Sequence, residues 1–132
     1  MLAFPEPLRA KLLAEARAAY PAECCGLLEG TRTDAGIRVL ALHPTPNVAK
    51  DPLTGFLVAP EAHFHLLRTL RGTGRGIVGC YHSHPNGRPG PSPRDRATPC
   101  EDGFVWVIIV TGGKEAVAAF RAPDFAPLAL RE

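Results

Sequence analysis

The chain has 132 residues, 45% of them hydrophobic, which is enough to bury one core and too much for a disordered polypeptide. Its 15 basic and 13 acidic residues are dispersed and leave a formal charge of +2, so there is no basic stripe for a nucleic-acid partner. No run approaches the roughly 20 apolar residues of a membrane span, and Met1-Leu-Ala-Phe-Pro5-Glu6-Pro7 has no secretory pattern, so a single cytoplasmic domain over residues 1–132 is expected.

Leu8 to Tyr20 predicts a helix, since alanine, leucine, lysine and arginine dominate, Leu8, Leu12, Leu13 and Ala16 recur at helical spacing, and Pro21 closes it. Cys25 to Gly30 is a short apolar run, and Gly36 to Leu42 alternates well enough to be its hairpin partner. His43 through Gly55 is rich in proline and predicts a long loop, followed by a brief strand at Phe56 to Val58. Glu61 to Arg71 predicts a second helix with Phe64, Leu67 and Leu70 on one stripe, ended by the glycines at 72, 74 and 76. Ile77 to His84 predicts a strand running into a turn-rich segment, Pro85 to Pro93. Phe104 to Val110 is a β-branched and aromatic run expected to be buried on both faces, with Ala116 to Phe120 as its hairpin partner. Helices and strands interleave, so the expected class is α/β.

The chemistry is concentrated after the strand ending at His84. Residues two apart in a strand share a face, so His82 and His84 project together while Ser83 points away. The turn-rich segment can bring the chain back, and the nearest carboxylate there is Asp95. Two nitrogens and one oxygen leave a fourth position for water, as in a catalytic rather than a structural zinc site. Ser92 and Asp95 also have the spacing of a capping box, with Pro93 at the first helical position. The set H-x-H-x7-S-x-x-D uses both of the chain's serines. Water activated by a metal must lose a proton and a leaving amine must gain one, for which Glu23, Glu29 and Glu101 are candidates on composition.

His82-Ser-His-Pro-Asn-Gly-Arg-Pro-Gly-Pro-Ser-Pro-Arg-Asp95 resembles the motif of the JAMM (MPN-plus) metalloproteases, and Glu23-Cys-Cys-Gly-Leu-Leu-Glu-Gly30 resembles the segment around that family's catalytic glutamate. Phe56-Leu-Val-Ala-Pro60 and Gly76-Ile-Val-Gly79 are also similar to the family pattern. The resemblance implies Zn2+ on His82, His84 and Asp95, Glu23 as general acid and base, and Ser92 stabilising the oxyanion. It further implies a sandwich similar to cytidine deaminases, a curved mixed β-sheet with flanking helices. The implied reaction is peptidase or isopeptidase cleavage at the tail of a ubiquitin-like protein. A chain this short resembles the minimal stand-alone prokaryotic form, for which ubiquitin-like sulfur-carrier substrates are expected. The alternatives are a non-catalytic MPN scaffold and the DNA-repair-associated relatives. A deaminase is a further one, but position 103 is Gly where a second zinc-binding cysteine would be needed.

Among the remaining residues, Cys80 and Cys100 either form a disulfide bracing the metal loop or are two small buried side chains. Cys24 and Cys25 are expected to pack rather than react. His63 and His65 lie two apart on a helix and cannot chelate together. His43 is expected in a loop, within reach of a substrate, and Trp106 in the core.

Overall fold

The computed structural model describes residues 1–132. In chain order the elements are β1 (Leu2–Ala3), α1 (Glu6–Ala19), β2 (Cys25–Thr33), β3 (Gly36–Thr45), α2 (Pro60–Leu70), β4 (Gly76–His84), α3 (Pro93–Ala97), β5 (Val105–Val110), β6 (Ala116–Arg121), β7 (Ala126–Leu128) and β8 (Leu130–Arg131). The strands form one sheet in the order β7-β6-β5-β4-β2-β3-β1-β8. It is mixed: β4 and β5 run parallel, as do β1 with β3 and with β8, while the other pairs are antiparallel. No helix is long and apolar enough to cross a membrane.

Each strand alternates its side chains between two layers. Leu28, Tyr81, Val107 and Ile109 face a cluster that takes Leu12 and Ala16 from α1, an i, i+4 pair on one helix face. Leu27, Cys80 and Trp106 face the opposite layer, where α2 contributes Leu66 and Leu70. The result is an α/β sandwich with the sheet in the middle, and β5 is buried along its whole length. Close approach of β4 to β5 depends on Gly79, where a Cβ would come within 2.1 Å of the Val105 carbonyl oxygen.

Parallel strands cannot be joined by a tight hairpin and require a crossover. Between β4 and β5 that crossover is residues 85–104, and it contains α3. The chain therefore leaves the C-terminal end of β4 and returns over it, which brings α3 back to the histidines it has just left.

The sequence expectations need correction in several places. α2 buries Leu66 and Leu70, whereas Phe64 and Leu67 are exposed, so the expected stripe of Phe64, Leu67 and Leu70 is not the packed face. β3 continues through His43 and Pro44 into the expected loop; Pro44 is tolerated there because β1 pairs only with Ile37 and Arg38, leaving the end of β3 as a sheet edge. Phe56 to Val58 forms no strand, only a single bridge between Val58 and Asn47. β1, β7 and β8 have no signature in the local sequence pattern. Cys80 and Cys100 are free thiols and only Cys80 is buried; Cys100 is exposed, with its sulfur accepting the Trp106 Nε1–H at 3.5 Å.

Candidate metal centre

His82 and His84 occupy the last turns of the pleat in β4, on the α2 side of the sheet, and both are buried. Their Nε2 atoms are 3.0 Å apart. Asp95 is the third residue of α3, and its Oδ2 lies 3.1 Å from His82 Nε2 and 3.2 Å from His84 Nε2. The same oxygen accepts the Ser92 backbone N–H at 2.9 Å, while Ser92 Oγ accepts the Asp95 N–H at 3.0 Å. Capping and convergence on the histidines are thus served by one carboxylate. The cap fixes the rotamer that aims Asp95 Oδ2 at the two imidazoles.

The donor set suits a metal ion. His84 Nδ1 donates to the Arg88 carbonyl at 3.0 Å, which leaves the lone pair of a neutral ring on Nε2. That lone pair then faces the Asp95 carboxylate, two acceptors at 3.2 Å that attract each other only through a proton or a cation. Donors around a tetrahedral zinc at about 2.0–2.1 Å stand about 3.3 Å apart, close to the separations found here. His82, His84 and Asp95 are the group of metal-capable side chains that the fold brings together.

Burial and hydrogen bonding set the charges. For Asp95 with no cation bound, burial acts to raise the pKa, but protons shared from the His82 and His84 rings in place of a metal, together with the Ser92 N–H, outweigh it and hold the carboxyl well below the usual range. Burial lowers His82 and favours the neutral ring, the form in which an imidazole can bind a metal. For His84 burial acts in the same direction, but the hydrogen bond to Asp95, the Arg88 carbonyl and the charges of Asp95 and Glu23 raise it overall.

His82 is also held sterically. Phe56 stacks on its ring at 4.2 Å with planes 18° apart, and Trp106 meets it edge-on at 5.8 Å. Trp106 is core as expected, and it doubles as a wall of the site. Phe56 lies in the loop before α2. Its packing partner lies 26 positions away in sequence, and local pattern does not reveal such a pairing.

A cavity of about 710 Å³ opens over this cluster, lined among others by Glu23, His84, Ser92, Asp95, Phe56 and Trp106. Glu23 precedes β2 and is 7% exposed. Burial pushes its carboxyl up to about 7, with His84 pulling down, Asp95 pushing up and Arg94 pulling down. The other two acids differ. Glu29 accepts from Arg75 at 2.8 Å and from His43 at 2.7 Å, and the Arg75 guanidinium above all holds its pKa low; Glu101 is exposed on the cavity rim. His43 is consequently a strand residue paired to Glu29, outside the cavity lining, and its expected reach toward a substrate is withdrawn. His63 lines the cavity and His65 is exposed. Cys24 and Cys25 are buried, and burial raises both thiols, Cys24 to about 12, as suits packing residues.

Residues 5–123 match the family described as prokaryotic homologs of the JAB domain. A desampylase from Haloferax volcanii is 35% identical over 111 residues, spanning 83% of this chain and 78% of that protein. A probable TtuB-protein conjugate cleaving protease from Thermus thermophilus is 38% identical over 125 residues, spanning 95% of this chain and 76% of that protein. Among solved structures, a protein from Desulfitobacterium hafniense has a TM-score of 0.83 at 26% identity, covering 100% of this chain and 94% of that one. A JAB1/MPN domain protein from Archaeoglobus fulgidus has a TM-score of 0.62 at 20% identity, covering 94% and 90%, a likeness of fold. The chain therefore belongs to the prokaryotic JAB-domain family, the stand-alone prokaryotic branch of the JAMM (MPN-plus) proteins.

Proposed function

We propose that this protein is a zinc-dependent isopeptidase that cleaves the bond joining the C-terminal tail of a ubiquitin-like sulfur-carrier protein to its target. The observation that carries the reading is the convergence of His82 Nε2, His84 Nε2 and Asp95 Oδ2 within about 3 Å of one another, in a cavity that also exposes the buried Glu23 carboxyl. The names of the Haloferax and Thermus relatives point to conjugates as the substrate class. His82, His84 and Asp95 would hold the ion, and when bound it supplies Lewis acidity toward a water molecule and a carbonyl oxygen.

The rest of the chemistry falls to the protein. Glu23 takes the proton from the attacking water on its carboxylate and returns it to the leaving amine, a task that suits an acid titrating near neutrality. Ser92 keeps its Oγ lone pair on the Asp95 N–H, so its hydroxyl proton is free to be donated toward the oxygen that gains charge. Phe56 and Trp106 form an apolar wall of the cavity against the His82 ring and hold that ring in place.

The test uses a ubiquitin-like protein joined to a lysine side chain, incubated with purified enzyme and followed by electrophoresis and intact mass. Release of the free tail that stops when a chelator is added is the expected result. No cleavage of such conjugates at any zinc level overturns the substrate assignment.

A further inference from the structure

Glu23 lies outside any helix or strand, just where β2 peels away from β4, so regular structure does not fix its backbone. Instead the single peptide plane that follows it is gripped from both edges. On one edge the Glu23 carbonyl accepts from Asn47 Nδ2 at 3.0 Å. On the other, the Cys24 N–H donates to Ser83 Oγ at 2.8 Å. The Ser83 N–H also donates to the Cys24 carbonyl at 3.1 Å, continuing the β2–β4 pairing one step past its last ladder residues, Cys25 and His82. The hydroxyl stands in for the ladder carbonyl that is out of register there.

Both gripping residues are tied to the metal cluster. Ser83 is fully buried and sits between His82 and His84, so its hydroxyl measures the distance from β4 to the Glu23 backbone. Asn47 uses every hydrogen-bonding position of its amide: Nδ2 also donates to the Gly55 carbonyl at 3.0 Å, and Oδ1 accepts from Ala49 N–H at 3.0 Å and Leu57 N–H at 3.1 Å. Gly55 and Leu57 flank Phe56, whose ring stacks on His82.

We infer that Ser83 and Asn47 are positioning residues for Glu23: they clamp the Glu23–Cys24 peptide so that the carboxyl and the histidine pair keep one fixed spacing. The inference rests on the proposed role of Glu23 in proton transfer. Small misplacements of a reacting group cost up to about 100-fold in rate, and the bond to Ser83 ties the peptide directly to the strand that carries both histidines.

Ser83→Ala removes one oxygen and should lower kcat about 10- to 100-fold with KM within about twofold and one zinc still bound per chain. Amide exchange at Cys24 should speed up. Ser83→Thr, which keeps the hydroxyl, should recover kcat to within a few-fold of the wild type. Asn47→Ala should lower kcat and raise KM together, because Asn47 also holds the cavity wall at Gly55 and Leu57. Wild-type kcat in Ser83→Ala, equal losses in Ser83→Ala and Ser83→Thr, or unchanged Cys24 exchange overturns the clamp. The underlying reading fails separately, through a Glu23→Gln variant as active as the wild type.

Discussion

Replacing Glu23 by glutamine is expected to leave zinc bound and to cut kcat by about 10²–10⁴-fold, the range in which a positioned acid or base contributes. The isosteric amide cannot take a proton from water or return one to an amine, yet it touches none of the converging donors. In the wild type the carboxyl must be ionised to act. Burial has pushed it up to about 7, so kcat/KM should fall as the pH drops below neutrality. A bound cation beside it moves that limb toward lower pH.

The same burial fixes the sign of a stability effect. Folded Glu23 binds its proton more tightly than the unfolded chain, whose value is near 4.5. Its favourable contribution is therefore complete below the unfolded value and is lost as the pH rises through the folded one. Above about pH 7 the metal-free Glu23→Gln protein should unfold at higher denaturant than the wild type, since the variant buries no charge. An inactive but more stable variant is the mark of a residue kept for chemistry at the expense of stability. Equal activity in the two proteins, measured at matched zinc content, contradicts the role.

The second large effect is at Asp95. Asp95→Asn keeps an oxygen for the Ser92 N–H, so the start of α3 should remain capped and the protein folded. What it loses is the anionic donor shared by both imidazoles. Changes to groups that merely support a metal ligand already cost about 10–100-fold in affinity, so loss of a ligand charge should weaken zinc binding by more than about 100-fold. Competition with a chelating dye reads this directly, and circular dichroism reports whether the fold is kept. Asp95→Ala also removes the acceptor of the Ser92 N–H and should in addition destabilise the metal-free protein by about 1 kcal/mol, the cost of one lost hydrogen bond. An Asn variant that binds zinc as tightly as the wild type assigns Asp95 to capping alone.

The parts of this arrangement that the sequence announces are those governed by local rules. Period-two alternation puts His82 and His84 on one face, and the Ser92 to Asp95 spacing marks a helix start, so the cluster can be read from a stretch of 14 positions. The unbroken apolar run of β5 likewise announces its burial. What stays hidden depends on distant partners. β1 and β8 are two residues each and exist because Leu2 pairs with both Ile37 and Leu130. β7 carries Pro127, which reads as a loop and is admissible because β6 is its sole neighbour. In α2, Phe64 and Leu67 have the right spacing for a core stripe, but the sheet beneath takes Leu66 and Leu70 and leaves the other two to solvent. Ser83 reads as the residue that faces away from the site; its hydrogen bond to Cys24 crosses 59 positions of sequence. Composition alone leaves Glu23, Glu29 and Glu101 level and the family resemblance singles out Glu23; the fold adds the reason Glu29 is unavailable, its pairing with Arg75 and His43.

Zinc titration into chelator-stripped protein, with cleavage of a ubiquitin-like conjugate measured at each addition, tests the central claim most directly. Cleavage should be absent at the start, rise linearly, and reach its plateau at one equivalent of zinc, while the same titration of Asp95→Asn stays flat. Cleavage by the stripped protein, or full activity in Asp95→Asn at one equivalent, contradicts a zinc isopeptidase built on His82, His84 and Asp95.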